Sequence, residues 1–218
     1  TSTTADTIEG GAGNDTLVGN AGNNIMEGNA ADDSLTGLAG NDSLTGSAGN
    51  DTFSLAGTSN SSSVVGGGGA DTFAVSGAAT STTILGGAGN DTANFTAQIN
   101  SAYVDGGAGV SLISASANVG ASTLLGGSSN DTFNFTNSGV TGSKVVAGAG
   151  ADVINFSYNL TNSSIVGGAG NDSITYDLNY GGDISGSDNG GASSNTFFFG
   201  SGSGNDTITV TSAQGGST

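Results

Sequence analysis

Aspartate residues recur at fixed intervals along this chain, and their spacing is its most informative feature. The first of them fall on a nine-residue grid, on which Asn24 replaces one aspartate; beyond residue 51 the interval becomes 20 residues, with one step of 21 and one position taken by Ser111. The positions are Asp6, Asp15, Asp33, Asp42, Asp51, Asp71, Asp91, Asp131, Asp152 and Asp172. A fixed period of this kind predicts a solenoid, in which each repeat packs on its neighbours.

The residues around each aspartate suit the binding of a hard cation. Calcium takes about six to eight oxygen ligands from carboxylates and backbone carbonyls. In a unit such as GGAGNDTLV the glycines leave carbonyls unobstructed and the aspartate adds charge. Carboxylates stacked about 5 Å apart repel each other by roughly 3 kcal/mol at an effective dielectric constant of about 20. Because one coil carries only ~1–3 kcal/mol of net stability, we expect cation binding and folding to be coupled.

Composition excludes several classes of function. The chain has 18 acids and one base, Lys144, and its formal net charge is −17. One lysine cannot build a groove for nucleic acid, and no stretch is apolar enough for a membrane span. With no His and no Cys, we expect no catalytic residue and no enzyme activity, although a paired-carboxylate glycosidase is compatible with the composition. A solvated acidic surface is the alternative interpretation of the aspartates.

One late coil shows the elements that position these aspartates. Residues 71–75 alternate, with Phe73 and Val75 on one face, which predicts a strand. Residues 76–83 (SGAATSTT) predict a polar turn, Ile84 and Leu85 a second strand, and residues 86–90 a glycine turn. Such a turn needs positive φ angles, which glycine tolerates. Two strands per coil predict an all-β solenoid made of two parallel sheets, and we expect no helix.

The early units resemble those of a known family. The units are GGAGNDTLV, GNAGNNIME, GNAADDSLT, GLAGNDSLT and GSAGNDTFS, and they resemble the calcium-binding nonapeptides of the repeats-in-toxin (RTX) family. The resemblance implies a right-handed parallel β-roll with about 18 residues per coil, then 20, that binds several Ca²⁺ ions. We expect one continuous domain, in which 1–55 is the nonapeptide segment and 56–218 continues the same solenoid.

The resemblance also implies a set of metal ligands, because each RTX ion lies between successive coils at one edge of the roll. By position, the continuous edge uses the side chains of Asp15, Asp33, Asp51, Asp71, Asp91, Asp131, Asp152 and Asp172. The opposite edge has Asp6 and Asp42, and Asp206 at the far end; beyond Asp42 it should hold no metal. Turn carbonyls of the type of Gly69, Gly89 and Gly170 complete the set. Ser111 lacks a carboxylate, so we expect a gap around it.

A column of aliphatic residues predicts a protein interface. The residues that follow the inward ones on the second strand are Val65, Leu85, Leu125, Val146 and Val166, with Asp105 among them. A contiguous apolar stripe on a flat sheet usually marks an interface, so we expect lateral self-association. The alternatives are that β-propensity alone favours these residues, or that a shifted register turns them inward.

The expected role is that of an extracellular or cell-surface bacterial structural protein, a surface-layer or filament subunit that assembles end to end and laterally. Low sequence complexity and the near absence of Lys and Arg favour it. Three alternatives remain: the calcium-rigidified stalk or binding module of a secreted adhesin, an ice-binding variant of that module, and the RTX secretion domain of an exported toxin or hydrolase. The sequence does not decide whether the protein attaches to a cell-surface polysaccharide. Thr1 in place of Met suggests a processed or partial chain.

Overall fold

The computed structural model describes residues 2–136, 138–158 and 160–176, together with the backbone of three later strands. The secondary structure of this part of the chain is β throughout, as the alternating pattern predicts. Within the same residues no helix is long and apolar enough to cross a membrane.

Two parallel sheets run the length of the solenoid. Sheet 1 is formed by β1 (Thr7–Ala12), β3 (Ile25–Ala30), β5 (Ser43–Ala48), β7 (Ser63–Gly68), β10 (Thr83–Ala88), β13 (Tyr103–Ala108), β16 (Thr123–Gly127), β19 (Lys144–Ala149) and β22 (Ser164–Ala169). Sheet 2 is formed by β2 (Thr16–Val18), β4 (Ser34–Thr36), β6 (Thr52–Leu55), β8 (Thr72–Val75), β11 (Thr92–Phe95), β14 (Leu112–Ala115), β17 (Thr132–Phe135), β20 (Val153–Phe156), β23 (Ser173–Tyr176) and β25 (Thr196–Phe199). Each coil therefore contributes one strand to each sheet, which confirms the predicted parallel β-solenoid.

A third, smaller sheet lies in the part of each 20-residue coil that was predicted to be a polar turn. Sheet 3 consists of the two-residue strands β9 (Ala79–Thr80), β12 (Ile99–Asn100), β15 (Val119–Gly120), β18 (Val140–Thr141) and β21 (Leu160–Thr161). The first residue of each strand is buried, so this segment adds a row of side chains to the core. The polar-turn prediction was wrong here because a strand of two residues is too short to show a period.

The core is a stack of matching side chains. Inward residues pair with the equivalent residue of the next coil, as Phe53 does with Phe73 and Val64 with Ile84. The rings of Phe53 and Phe73 stack at 4.9 Å, and those of Phe135 and Phe156 at 4.8 Å. These distances match the spacing between neighbouring strands, so identical side chains stack where the repeat is regular.

The change of repeat length leaves the strand pairing continuous. Across residue 55, β5 pairs with β7 and β6 pairs with β8, both in parallel. Near the other end, β24 (Ser185–Asp188) pairs with β26 (Thr207–Val210), and β25 pairs with β23. Phe197 is in register with Ile174, and its side chain lies outside the described residues.

Candidate metal centre

One column of residues follows the edge at which the chain enters sheet 2. Each member immediately precedes a strand of that sheet, where the glycine turn ends. The column, hereafter the aspartate ladder, consists of Asp15, Asp33, Asp51, Asp71, Asp91, Ser111, Asp131, Asp152 and Asp172. All of these side chains are buried except Asp15, which is half-buried. The structure thus brings together, in sequence order, the residues predicted for the continuous metal edge.

Hydrogen bonds connect successive rungs of the ladder, except between Asp91 and Ser111. The backbone N–H of Asp51 donates to Oδ1 of Asp71, and the N–H of Asp71 donates to Oδ1 of Asp91, at 2.7 and 2.8 Å. The same bond recurs from Asp15 to Asp33, Asp33 to Asp51, Ser111 to Asp131, Asp131 to Asp152 and Asp152 to Asp172. Each carboxylate therefore fixes the turn of the preceding coil through one of its two oxygens.

The second oxygen of these carboxylates has no such partner. Oδ2 is buried and accepts no hydrogen bond within the described part of the chain in Asp15, Asp33, Asp51, Asp71, Asp91, Asp131 and Asp152. The hydroxyl oxygen of Ser111 is in the same situation. An uncompensated buried carboxylate oxygen is costly, and a row of them requires a counter-charge. The ladder therefore fits a series of cations along this edge.

The electrostatics of the ladder agree with that requirement. The pKa of Asp71 is raised from 3.8 to about 6, chiefly by burial; the hydrogen bond from the backbone of Asp51 lowers it, and the charges of Asp91 and Asp51 add to the rise. Burial and the charge of Asp152 likewise raise the pKa of Asp131 to about 6. The pKa values of Asp51, Asp91 and Asp152 are also raised, in each case chiefly by burial. A divalent cation at this edge would oppose these effects and keep the carboxylates ionised.

The glycine turns bring backbone carbonyls close together along the same edge. Gly69 and Gly89 have φ angles of +135° and +129°, and a Cβ atom at either would overlap the carbonyl oxygen of the equivalent glycine one coil earlier. Gly170 (φ +138°) has the same relationship to Gly150. Glycine is required here both by the left-handed backbone and by the close approach. The carbonyls of Gly69 and Gly89, two of the predicted ligands, thus point along the coil axis toward the next turn.

Carboxylates alone do not form a metal site in this fold. Among the residues that the structure describes, no three acidic, His or Cys side chains converge on one point. A calcium ion needs about six to eight oxygens, so most ligands of any ion on the ladder must be backbone carbonyls of the turns. Two adjacent rungs supply two carboxylates at most. The glycine-rich repeat offers these carboxylates together with the backbone carbonyls of its turns.

A second row of side chains binds the same turns together in the opposite direction. The residue before each aspartate is exposed. Where it is Asn14, Asp32, Asn50, Asn90 or Asn130, its side-chain oxygen accepts from the equivalent N–H of the following coil. Asn50 Oδ1 accepts from Ala70 N–H at 2.8 Å, and Asn90 Oδ1 accepts from Val110 N–H at 3.0 Å. Asn130 does the same for Ala151. Where Asn precedes Asp, the two residues therefore hydrogen-bond their turn to the neighbouring coils.

The opposite edge starts with acids and continues with hydroxyls. Asp6 is exposed and its N–H donates to Asn24 Oδ1, while the N–H of Asn24 donates to Asp42 Oδ1. Burial raises the pKa of Asp42, whose Oδ2 is buried without a hydrogen-bond partner. Asp42 N–H then donates to Ser62 Oγ at 2.8 Å. Asp206, the remaining acid predicted for this edge, lies outside the described residues.

Ser122, Ser143 and Ser163 extend this edge as a hydroxyl ladder that the sequence reading missed. Each Oγ accepts from the backbone N–H of the preceding coil, at 3.0 to 3.1 Å. Each also donates to the carbonyl two residues earlier, for example Ser122 to Gly120 at 2.7 Å. These hydroxyls are neutral and satisfied by the protein itself, so this part of the edge, unlike the part with Asp42, requires no cation. The signal was present: Ser62, Thr82, Ser122, Ser143 and Ser163 keep the phase of Asp42.

The predicted aliphatic stripe lies on the outer face of sheet 1. Its residues are in register from strand to strand, and Asp105 occupies the gap between Leu85 and Leu125. Val65, Leu85, Leu125, Val146 and Val166 are half-buried, whereas the residue before each is fully buried in the core. The strands therefore keep the expected alternation, and the stripe is not part of the core.

Comparison with models of known families identifies the family of the chain. The model of the RTX calcium-binding nonapeptide repeat matches residues 1–35, 27–60, 76–94, 114–136 and 160–178, together more than half of the chain. The protein belongs to this family of calcium-binding β-rolls. RTX nonapeptide repeats bind several calcium ions per domain, so calcium is the cation that the aspartate ladder implies. Comparisons with curated proteins and with solved structures find no significant match.

Proposed function

We propose that this chain is a calcium-stabilised structural segment of an extracellular bacterial protein, a surface-layer or filament subunit. The observation that carries the calcium part is the row of buried Oδ2 atoms without hydrogen-bond partners. Ca²⁺ ions between successive rungs, held by these oxygens and by turn carbonyls such as those of Gly69, Gly89 and Gly170, would balance them. Occupied rungs run from Asp15 to Asp91 and from Asp131 to Asp172, with a gap at Ser111; Asp6, Asp42 and Asp206 contribute at the other edge.

An extracellular location follows from the ion and from the family. RTX repeat proteins are typically bacterial and secreted, and a fold that depends on weakly held calcium suits an environment with millimolar calcium. The proposal of a structural role rests on the geometry: parallel coils stacked in register present long outer faces on sheets 1 and 2. On this basis we infer that the rods assemble with one another.

Lateral assembly is proposed through the stripe on sheet 1. Aliphatic side chains in one register column, spaced as the strands are, form a half-buried apolar row on an outer face, which only Asp105 interrupts between Leu85 and Leu125. Bound Ca²⁺ ions would offset much of the net charge of −17 that the chain carries alone, and apolar contact would then supply the attraction between two copies. End-to-end growth would add coils of another copy to the stack of parallel strands in sheet 1.

A triple variant tests the lateral contact. Leu85→Asp, Leu125→Asp and Val146→Asp together should abolish lateral bundles in electron micrographs of the calcium-loaded protein, while the β signal in circular dichroism persists. The matched control places three new charges on the other outer face, with Thr72→Asp, Thr92→Asp and Thr132→Asp. Loss of bundles in the control as well would attribute the effect to net charge. Bundles that persist in the stripe variant, or isolated rods in the unmodified protein, would contradict lateral assembly and favour a stalk.

A further inference from the structure

A groove crosses the outer side of sheet 3, away from both ladders. It encloses about 320 Å³, at the lower end of the range of roughly 300–1,000 Å³ that small-ligand pockets span. Its lining comprises Gln98, Asn118, Gly120, Gly139, Tyr158 and the hydroxyl-bearing Thr141 and Thr161. Gln98, Asn118 and Thr141 are exposed, so a ligand can reach the groove from solvent.

Two glycines create the space. Residues 100, 120, 141 and 161 form one outward column of sheet 3, and Gly120 leaves a gap between Asn100 and Thr141. In the neighbouring column, a methyl group at Gly139 would lie 3.3 Å from Asn118 Oδ1 and 4.0 Å from Tyr158 Cδ1. The tyrosine ring and the asparagine amide thus flank a stretch of backbone that carries no side chain.

The polar groups of the groove are held in place but have unused capacity. Asn118 Oδ1 accepts from the backbone N–H of Gly139 at 3.1 Å, which fixes the amide and directs its NH₂ group away from that bond. Within the described residues, the side chains of Gln98, Thr141 and Thr161 make no hydrogen bonds to protein groups. The groove therefore presents amide and hydroxyl donors and acceptors beside one aromatic ring.

We propose that this groove binds a neutral saccharide. Among the described residues, none of the side chains that line it is acidic or basic, so the groove offers no charge to pair with an anionic or cationic ligand. Amides pair with neighbouring hydroxyls of a pyranose, which offer both donors and acceptors. The face of Tyr158 can pack against the C–H face of the sugar ring, since an aromatic side chain combines an apolar surface with a polar end. The proposal is independent of calcium occupancy and of lateral assembly.

Titration calorimetry on the calcium-loaded full chain tests the proposal, with cello-, manno-, malto- and xylohexaose as neutral probes and hexagalacturonate as the anionic one. At least one neutral probe should bind with a millimolar or tighter Kd, and hexagalacturonate should not. Gly120→Thr continues the column of Thr141 and Thr161 into the groove. The nearest atom to the new Cβ is Oδ1 of Asn100 at 2.8 Å, at the end of a flexible side chain. This variant and Tyr158→Ala should each weaken binding by at least about tenfold.

Matched controls separate the groove from the rest of the surface. Gly68→Thr adds the same side chain at an open position of sheet 1, and Tyr103→Ala removes an exposed tyrosine from that sheet; both should bind as the unmodified chain does. If no neutral probe binds, or if Tyr158→Ala binds unchanged, the proposal is overturned. If Gly120→Thr does not fold, as judged by circular dichroism, the result for Tyr158→Ala decides. Preferential binding of hexagalacturonate would also overturn it.

Discussion

The backbone N–H of Asp51 donates to Oδ1 of Asp71, one coil further along, while Oδ2 of Asp71 is buried without a hydrogen-bond partner. The same carboxylate thus serves two purposes. One oxygen, Oδ1, holds the preceding turn in place. The other, Oδ2, is placed where a cation would compensate its buried charge. Structure and cation binding are therefore linked within a single side chain, and four predictions follow from this link and from the turns around it.

Removal of calcium should unfold the protein. Without a cation, the buried carboxylates of adjacent rungs repel one another and their Oδ2 atoms lose their compensation. In excess chelator at low ionic strength, we expect circular dichroism to show loss of β structure that returns on addition of calcium. Sodium at matched ionic strength is the control, because salt alone screens part of the repulsion. An unchanged spectrum in chelator would contradict the dependence on calcium.

Ser111→Asp should complete the aspartate ladder. Ser111 is buried, its hydroxyl has no partner, and a small cavity lies beside it next to Asp91 and Ala93. The new carboxylate should raise the calcium stoichiometry and raise the melting temperature in calcium. In chelator the same change should destabilise the protein, by roughly 1–3 kcal/mol for a buried uncompensated group. Calorimetry with and without calcium measures both.

The control for this variant is Ser116→Asp, which adds the same charge at an exposed position of the same coil. It should leave the stoichiometry unchanged. Equal effects of the two variants would show that position 111 is not a rung for metal.

Acidification should stabilise the calcium-free protein. The pKa values of Asp71 and Asp131 are about 6 in the folded chain, against 3.8 as the ordinary value. Between these values the folded state binds more protons than the unfolded state, so stability is lost as pH rises from about 4 to about 6. In chelator, at an ionic strength high enough to keep the calcium-free chain folded, the melting temperature should therefore be higher at about pH 5 than at pH 7, a range that stays above the sequence pI of about 4.1.

With calcium bound, the pH dependence should have the opposite sign. Protons compete with the ion for the same carboxylates, so acidification should lower the melting temperature of the calcium-loaded protein. A melting temperature that falls with acid in both conditions would argue against protonation of the ladder as the cause.

Two adjacent glycines provide a sharp test of the turn. Gly69 has a φ angle of +135° and an added Cβ would overlap the carbonyl oxygen of Gly49, whereas Gly68 has its nearest atom at 4.0 Å. Gly69→Ala should destabilise the protein by about 2 kcal/mol or more, and Gly68→Ala by less than about 0.5 kcal/mol. Chemical denaturation in calcium compares them. Equal losses would mean that the turn does not have the close approach described.

The sequence predicted those features that repeat with a strict period. The aspartate ladder was predictable because the Gly-rich turn and the aspartate recur together, and the two main sheets because strands such as β8 alternate clearly. Sheet 3 was not predictable, since two-residue strands such as β9 show no period. The hydroxyl ladder also needed the structure, because Ser62 resembles any surface serine until the coil closes and places it beside Asp42.

The repeat in the sequence does not predict the groove on sheet 3. Gly120 and Gly139 lie 19 residues apart in sequence and become neighbours only when β15 and β18 pair. Tyr158 and Asn118 are likewise brought together by coil stacking. Irregular positions within a regular scaffold carry little signal in a single sequence, although they are where the surface departs from the repeat.

The direction of the aspartate hydrogen bonds sets an order for folding. Wherever an aspartate occupies the next rung, the backbone N–H of the ladder donates to its carboxylate in the coil that follows in sequence, 18 to 21 residues later. During synthesis the N-terminus of the chain appears first. Each turn therefore lacks the carboxylate that fixes it until the next coil has also been made. We therefore expect folding to follow synthesis with a delay of one coil. The N-terminal coil should stay extended until calcium and the residues of the following coil are both present.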